Sequence, residues 1–599
     1  MLKLSKNSIS SFLGDAQALF LESDTDISKE NIKWSSSDPD TVTVCELHGN
    51  PPDINNGVVL TLNKVGCATV SAELNGETFS CEVSVRERSH PENFEKLNYY
   101  LGDLHDHTTK IHGHNEYADA GIDFPKDYVE YVRNDGSLDL AVISDHAFTT
   151  NDRMFIKGFL YAETDDHDAA VILPGAESEI TAVENDRFGI PYKNSGEIVT
   201  VNAGGYVNGT SWDDFYKAFE RSPNAICVLA HPYPMGFSVP GIWNFKLNEK
   251  KPQKFIDLIK GIEMGDGTPT YTQLLYEGAY SEALDIGMNV SVTCSSDSHG
   301  PVWGAAACPG KTVIMAPERT KEAFVDALID RRFYATESGN VKLYYTVNGK
   351  PAPATLDLTD KYDFHIEISV FNDIPDTVPT KCEIISNGGK ALKTIVGEKL
   401  ETLDLTLESS DARYFYLRLS DGLGRKTWST PVYTGREPII PESTAHLKPL
   451  NKEKFTVTEL ESGKDASVLV NGDIYVDFCS ELESASYVID MGEEKEIAAL
   501  GNYIPYLHYK KLKAEDVLPE KFILGYLAEY RISSSTDGVN YTVLTEDKIR
   551  TYSGEVIIPF PRHTARYVKF EAISNVGNSN GRPETKGATL RLSELSLFE

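Results

Sequence analysis

Four histidines fall within ten residues of the string GDLHDHTTKIHGH at 102–114: His105, His107, His112 and His114. His146 closes LDLAVISDH, His231 closes VLAH, and His299 closes VTCSSDSH. Of the 14 histidines in the chain, eight lie between residues 98 and 340. A lone histidine is ordinarily a satisfied surface or core side chain. Five at the ends of four strand-like runs, three of those runs also ending with an Asp, need another explanation. His105 and His107 stand two apart, so an extended backbone turns both rings to one face. Neutral imidazoles with carboxylates suit zinc, manganese or iron, whereas calcium and magnesium prefer oxygen throughout. The expected chemistry is binding of divalent transition-metal ions, which lower the pKa of bound water to about 7. No nucleophile elbow, P-loop or dinucleotide turn stands at a suitable strand–helix junction to compete.

Asp145 and His299 are the candidate catalytic groups. Asp145, beside His146, reads as a proton acceptor or a ligand's hydrogen-bond partner, or else as a helix cap. Glu179 and Glu263 are further acids near strand ends, with structural roles expected for both. Lys110, Arg153, Arg187, Lys193 and Lys311 sit on loops near the motifs, none at a spacing that singles it out for phosphate.

These residues need a frame. From Tyr99 to about Asn340, apolar runs of strand length (LDLAVISDH, AAVILPGAE, AICVLAHP, MNVSVTCSSDSHG) alternate with amphipathic stretches of helix length. The latter are FPKDYVEYVRN, WDDFYKAFER, PQKFIDLIKG, YEGAYSEALDIG and TKEAFVDALIDRR. Alternation of this kind predicts parallel strands with helical crossovers, an open α/β sheet or a barrel with its active site at the C-terminal strand ends. Residues 1–88, 341–436 and 450–599 read instead as short strands broken by Gly, Ser, Asp and Pro. EPIIP at 437–441 marks a linker. The fold class is therefore multidomain, α/β plus β, with β-sandwich domains on either side of the α/β unit.

A chain of 599 residues is too long for one core. Its 90 acidic against 57 basic residues give a net charge of −33, which disfavours nucleic acid and anionic membrane surfaces as partners. No apolar run reaches the roughly 18–20 residues of a membrane span. The eight cysteines show no CxxC pair. The N-terminus lacks a signal-peptide core, so the expected compartment is the cytoplasm, or the exterior if a leader has been trimmed.

HxH after an apolar strand, then SDH, PGxE, AHP and SDSHG, in that order over about 240 residues, resemble the PHP (polymerase and histidinol phosphatase) superfamily. The resemblance implies a distorted (β/α)7 barrel over 98–340. It also implies that His105, His107, Glu177 and Asp297 hold one metal, and that Glu177 bridges to a second held by His231. His112, His146 and His299 would hold the third, with His114 close enough to compete with His112. The histidine usual between PGxE and AHP is missing. Glu197 of SGEIVTV stands where it belongs, as a ligand or as a solvated strand residue. KTVIMAPERTKEAFVDALIDRRFYAT at 311–336, followed by a β-sandwich, is similar to the carbaryl-hydrolase-like branch.

IKWSSSDPDTVTV, GCATVSAEL and CEVSV resemble a bacterial Ig-like group 2 domain over 1–88. SYVIDMGEEKEIAALGNYIPY, YRISSSTDGVNYTVL, ARYVKFEAIS and LRLSELSLFE resemble a coagulation factor 5/8 type C, or discoidin, domain over 450–599. NGDIYVDFC departs from that pattern in lacking a tryptophan. Such jelly-roll domains often bind glycans, so a glycan is an expected partner and a purely structural role the alternative. Three functions stay open: a phosphoesterase on a small phosphorylated metabolite or sugar, a hydrolase of an ester, amide or carbamate, and an inactive glycan-binding protein. Because all five motifs fall between Gly102 and Gly300, the outer modules are expected to be dispensable for a small substrate.

Overall fold

A computed structural model gives the fold. It describes residues 1–45, 55–88, 97–108, 125–147, 169–180, 184–185, 187–189, 191–193, 196–202, 212–219, 223–232, 252–265, 274–299, 302–304, 308–504, 523–552 and 554–599.

Strands dominate. Residues 1–88 form two four-stranded sheets, and the alternating inward residues Leu19, Leu21, Trp34, Val58, Leu60, Val70 and Val83 fill the space between them. This sandwich abuts the next unit: Asn202 Nδ2 donates to Asp15 Oδ1 at 3.1 Å and Lys321 Nζ to the Ala16 carbonyl at 2.8 Å.

The central unit is built on β1 (Asn98–Asp106), β2 (Leu140–Ile143), β3 (Val171–Ile180), β4 (Glu184–Asn185), β5 (Pro191–Lys193), β6 (Gly196–Val201), β7 (Ile226–Leu229), β8 (Ile259–Gly265), β9 (Ser291–Cys294), β10 (Lys311–Ala316) and β11 (Phe333–Thr336). Its helices are α1 (Pro125–Asp135), α2 (Trp212–Phe219), α3 (Gln253–Leu258), α4 (Tyr276–Asp285) and α5 (Lys321–Ile329). The strand order is β9-β8-β7-β6-β3-β2-β1-β10-β11. The sheet curls until its ends meet: Ser298, just past β9, bridges Asp106 at the end of β1, and Asp297 N donates to the His105 carbonyl at 2.8 Å.

Strand–helix alternation holds only in part. β1, β2 and β3 are mutually parallel, as are β7, β8 and β9, but β6 runs antiparallel to both neighbours. The reason lies in the connection. β3 returns to β6 through an antiparallel hairpin, which needs no crossover helix. Nor does the stretch PQKFIDLIKG stay helical; α3 stops at Leu258 and Ile259 opens β8. The other four amphipathic stretches form helices, and Thr320 caps α5 by accepting from Ala323 N at 3.3 Å.

Past β11 the sheet continues. Ala335 and Thr336 pair with Trp428 and Thr427, and the strands Tyr414–Asp421, Pro379–Ser386 and Lys390–Val396 extend the same sheet. A second sheet, holding Val341–Val347, Lys361–Val370 and Thr402–Glu408, covers it around Phe364, Ile366, Phe415 and Leu417. Residues 450–599 carry a six-stranded sheet, antiparallel throughout.

Helix α4 is where the units converge. Glu277 takes a 2.6 Å ion pair from Arg418, Tyr280 donates to the Ser429 carbonyl at 2.9 Å, and Asp285 receives Tyr414 and Arg550. Gly278 is required by closeness, since a Cβ there would lie 2.1 Å from the Arg550 carbonyl oxygen. Among the described residues no helix is long and apolar enough to cross a membrane.

Candidate metal centre

The motif residues stand at one end of the curled sheet, each following a short strand buried along its body. β2, β7 and β9 are fully buried, so their polar ends are the first positions free to face a cavity. The PGxE turn explains its own glycine: a Cβ at Gly175 would meet the Thr200 carbonyl at 2.3 Å. His231 and Asp297 adopt positive φ, +24° and +45°, a costly backbone for non-glycine residues that persists where the surroundings impose it. Here Glu263 and β1 do so. His231 N donates to Glu263 Oε2 at 2.7 Å, and Asp297 N to the His105 carbonyl.

Within this frame His105, His107, Glu177 and Asp297 converge. His105 Nε2 lies 3.2 Å from His107 Nε2, 3.3 Å from Glu177 Oε1 and 3.4 Å from Asp297 Oδ1. His107 Nε2 lies 3.0 Å from Asp297 Oδ1 and 3.5 Å from Glu177 Oε2. An ion with tetrahedral bonds of about 2.0–2.1 Å holds its donors about 3.3–3.4 Å apart. The spacing is that of ligands around one centre. Beside it, His231 Nε2 sits 3.0 Å from Glu177 Oε1 and 3.4 Å from Glu197 Oε2. Glu197 is thus brought to the cluster rather than left as a solvated strand residue. The nearest ring nitrogens of His107, His146 and His299 form a third group, all within 4.8 Å of one another. The expected third ligand, His112, lies outside the described residues, as does His114.

The ring nitrogens carry a further observation. Glu263 Oε1 accepts from His105 Nδ1 at 3.2 Å, the Asp297 carbonyl from His299 Nδ1 at 3.1 Å, and Glu177 Oε2 lies 2.7 Å from His146 Nδ1. With Nδ1 as donor, the Nε2 of a neutral His105 or His299 is a lone pair. The Nε2 atoms of His146 and His299 face each other at 3.3 Å. Two nitrogens so placed share a cation between them, either a proton or a metal ion.

Charge tells the same story. Burial opposes a charged His105, but Glu177, Asp297 and Glu263 hold its pKa well above the ordinary imidazole value. Burial likewise opposes His231, which Glu177 and Glu197 push up to about 10. His107 falls to about 4 through burial and the nearby His146 and His299. Burial acts to raise Glu177 and Asp297, yet their histidine neighbours hold both well below the usual carboxylate range. Glu197 is pushed up to about 7 by burial and then by Glu177. Carboxylates that hold protons on buried histidines release them when a cation takes the same place.

The two oxygens of Asp145 accept from Thr108 N at 2.5 Å and Thr108 Oγ1 at 2.7 Å, which ties it to the exit of β1. His299, with its side chain 43% exposed, sits at the open side of the cluster, and His105, Glu177 and Glu263 form its floor. Asp106, alternating away from the two histidines, accepts from Tyr128 at 2.8 Å beneath that floor. Among the loop cations, Arg187 is bonded to Glu555 and Lys311 Nζ to the Gly310 carbonyl at 2.8 Å. Lys110, Arg153 and the side chain of Lys193 lie outside the described residues.

Glu263, expected as an acid near a strand end with a structural role, bonds to both His105 and His231; the stretch PQKFIDLIKG expected as helix takes in only IKG, the first three residues of its strand.

No family model matches the chain. A curated relative, an uncharacterized protein of Chlamydia pneumoniae, is 24% identical over 140 residues, and the match spans 22% of that relative's length and 21% of this chain. Among solved structures, a two-domain protein of Bacteroides vulgatus, described as containing a predicted PHP-like metal-dependent phosphoesterase, matches 56% of this chain and 94% of its own, with 14% identity and a TM-score of 0.31. A family 32 carbohydrate-binding module of C. perfringens, solved with galactose, matches 26% of this chain and 99% of its own, with 16% identity and a TM-score of 0.20.

Proposed function

We propose that residues 98–340 are a metal-dependent hydrolase of the PHP type, a phosphoesterase acting on a small phosphorylated metabolite or a phosphorylated sugar. What carries the reading is the convergence of the His105, His107, Glu177 and Asp297 donor atoms, at spacings that fit a shared cation. His105, His107, Glu177 and Asp297 would hold one ion, His231, Glu177 and Glu197 a second, and His146 and His299, beside His107, a third. Bound divalent ions lower the pKa of water to about 7 and neutralise charge developing on a phosphoryl or carbonyl oxygen.

The chain's own part is to build the charge balance and the opening. Glu177, Glu197, Asp297 and Glu263 bring at most four negative charges, fewer than the six that three divalent ions supply, so a fully loaded site attracts an anionic ester. His299, at the open side, is the ligand nearest an incoming substrate. Glu263 and Asp145 keep ligand rings and the β1 exit in place, so that little reorganisation accompanies the reaction.

A second reading has one observation in its favour. Arg187 and Lys311, two of the loop cations named for phosphate, are engaged elsewhere, as suits a neutral ester, amide or carbamate. Residues 450–599 we read as a glycan-binding module and 1–88 as an Ig-like spacer, on their sequence motifs. Metal analysis of the purified protein, followed by a panel of aryl phosphate mono- and diesters beside aryl esters and carbamates, tests the assignment. Turnover of phosphate esters alone supports the first reading, and turnover of carbon esters alone replaces it with the second.

A further inference from the structure

The strands β3 and β6 are the base of a long antiparallel arm. Their register pairs Gly175 with Val201 and Ile180 with Gly196, and β4 and β5 continue the pairing outward through Glu184 and Lys193. Glu179 stands opposite Glu197, so Glu177 and Glu197 occupy diagonal positions on one face of the base. The tip carries Arg187 and Phe188, and it does not end in solvent. Arg187 forms a forked pair with Glu555, Nε to Oε2 at 2.7 Å and Nη2 to Oε1 at 2.6 Å, and reaches Ser596 Oγ at 2.5 Å. Its guanidinium stacks over Phe188 at 4.2 Å and lies 5.5 Å from the Phe598 ring. Phe188 meets the Tyr503 ring edge-on at 5.1 Å.

The receiving residues form one patch. Tyr503 pairs with Glu555 and Gly501 with Ser596, so three adjacent strands of the C-terminal sheet supply it. Glu555 is only 7% exposed there, and a forked, stacked Arg–carboxylate pair with one largely buried partner is the kind that holds geometry.

We infer that the C-terminal module is part of the metal centre's scaffold, and that Arg187 is a positioning residue that fixes Glu177 and Glu197 through the arm. This replaces the expectation that residues 450–599 are dispensable for a small substrate. An arm released at its tip keeps only the backbone pairing at its base, and the second ion, which depends on Glu197, loses its fixed ligand first. The consequence for the ion rests on the metal reading above; the docking of the arm does not.

Two measurements on the full chain separate these. Hydrogen exchange is followed over 184–201 in wild type, Arg187→Glu, Glu555→Arg and the double exchange Arg187→Glu with Glu555→Arg. Each single variant should exchange at least tenfold faster at Gly196–Val201, and the double variant should recover most of the protection. Zinc or manganese titration should then show the weaker ion lost tenfold or more in the single variants and regained in the double, while the tighter ion changes little. Single variants that exchange like wild type overturn the docking. Faster exchange with unchanged affinity for both ions overturns the link to the site. Wild type that binds no metal defeats the proposed function, while exchange still decides the docking. If Arg187→Glu fails to fold, Phe188→Ala is expected to give the same exchange and metal pattern, and wild-type behaviour there overturns the inference.

Discussion

Replacing Glu263 by Gln changes one atom and should disable a binding site. Both carboxylate oxygens are acceptors, one for His105 Nδ1 at 3.2 Å and one for His231 N at 2.7 Å. A Gln offers one acceptor and one donor. If its oxygen stays with His231, its NH2 faces His105 Nδ1 and selects the tautomer with the proton on Nε2. That is the nitrogen facing His107, so the lone pair for a cation is gone. If the amide flips, NH2 meets the backbone N–H of His231, and a buried donor without a partner costs about 1–3 kcal/mol. Loss of a ligand's supporting hydrogen bond typically weakens metal affinity by about 10–100-fold. That factor corresponds to about 1.4–2.7 kcal/mol. Titration against a competing chelator, at matched circular dichroism, should therefore show the ion held by His105 bound 10–100-fold more weakly in Glu263→Gln. Affinity within threefold of wild type would refute the reasoning, because the tautomer would then not be set by Glu263.

Metal-reloaded protein should contain at least two transition-metal ions per chain by elemental analysis, and less than one would end the cluster reading. His105→Ala and Asp297→Ala should each abolish hydrolysis with native-like far-UV spectra; unchanged turnover in either would displace it from the site. Replacing Glu277 by Gln removes one of the two carboxylates on Arg418, Glu383 remaining at 2.9 Å, and should cost about 1–3 kcal/mol, read from urea midpoints. Burial acts to raise the pKa of Glu277, but Arg418, Lys426 and Lys548 outweigh it and hold it at about 2. With the folded value below the unfolded one, the pair's contribution is complete above pH ~4.5 and fades as pH falls toward ~2. The stability gap between wild type and Glu277→Gln should narrow over that interval, and a constant gap would contradict it.

The motif strands and their polar ends were legible because each is a short apolar run closed by groups that have no place in a core. Glu197 could be placed because its strand lies between two recognisable motifs. Glu263 was harder. IKGIEMG is buried at every position but Lys260, so it lacks the alternation that marks a half-buried strand, and Ile259 and Ile262 after PQKFIDL prolong a helical pattern equally well. The antiparallel return of β3 into β6 was hidden for another reason: nothing local in GEIVTV states the direction of its neighbours. The bond of Asp145 to Thr108, 37 residues away in sequence, could not be read from its adjacency to His146. The docking of Arg187 on Glu555, separated by 368 residues, has no trace in composition or period.

The continuation of the central sheet past β11 matters while the chain is being made. The partner of Phe333–Thr336 is Lys426–Trp428, which leaves the ribosome about ninety residues later, a delay of roughly 5–20 s at ordinary elongation rates. For that interval β11 is an open edge with unpaired backbone groups, beside a metal-ligand cluster already synthesised. The nascent chain thus keeps this edge open while residues 341–425 are being made. A stop codon or a stalled ribosome in that window would release a chain with its ligands complete and its sheet unfinished.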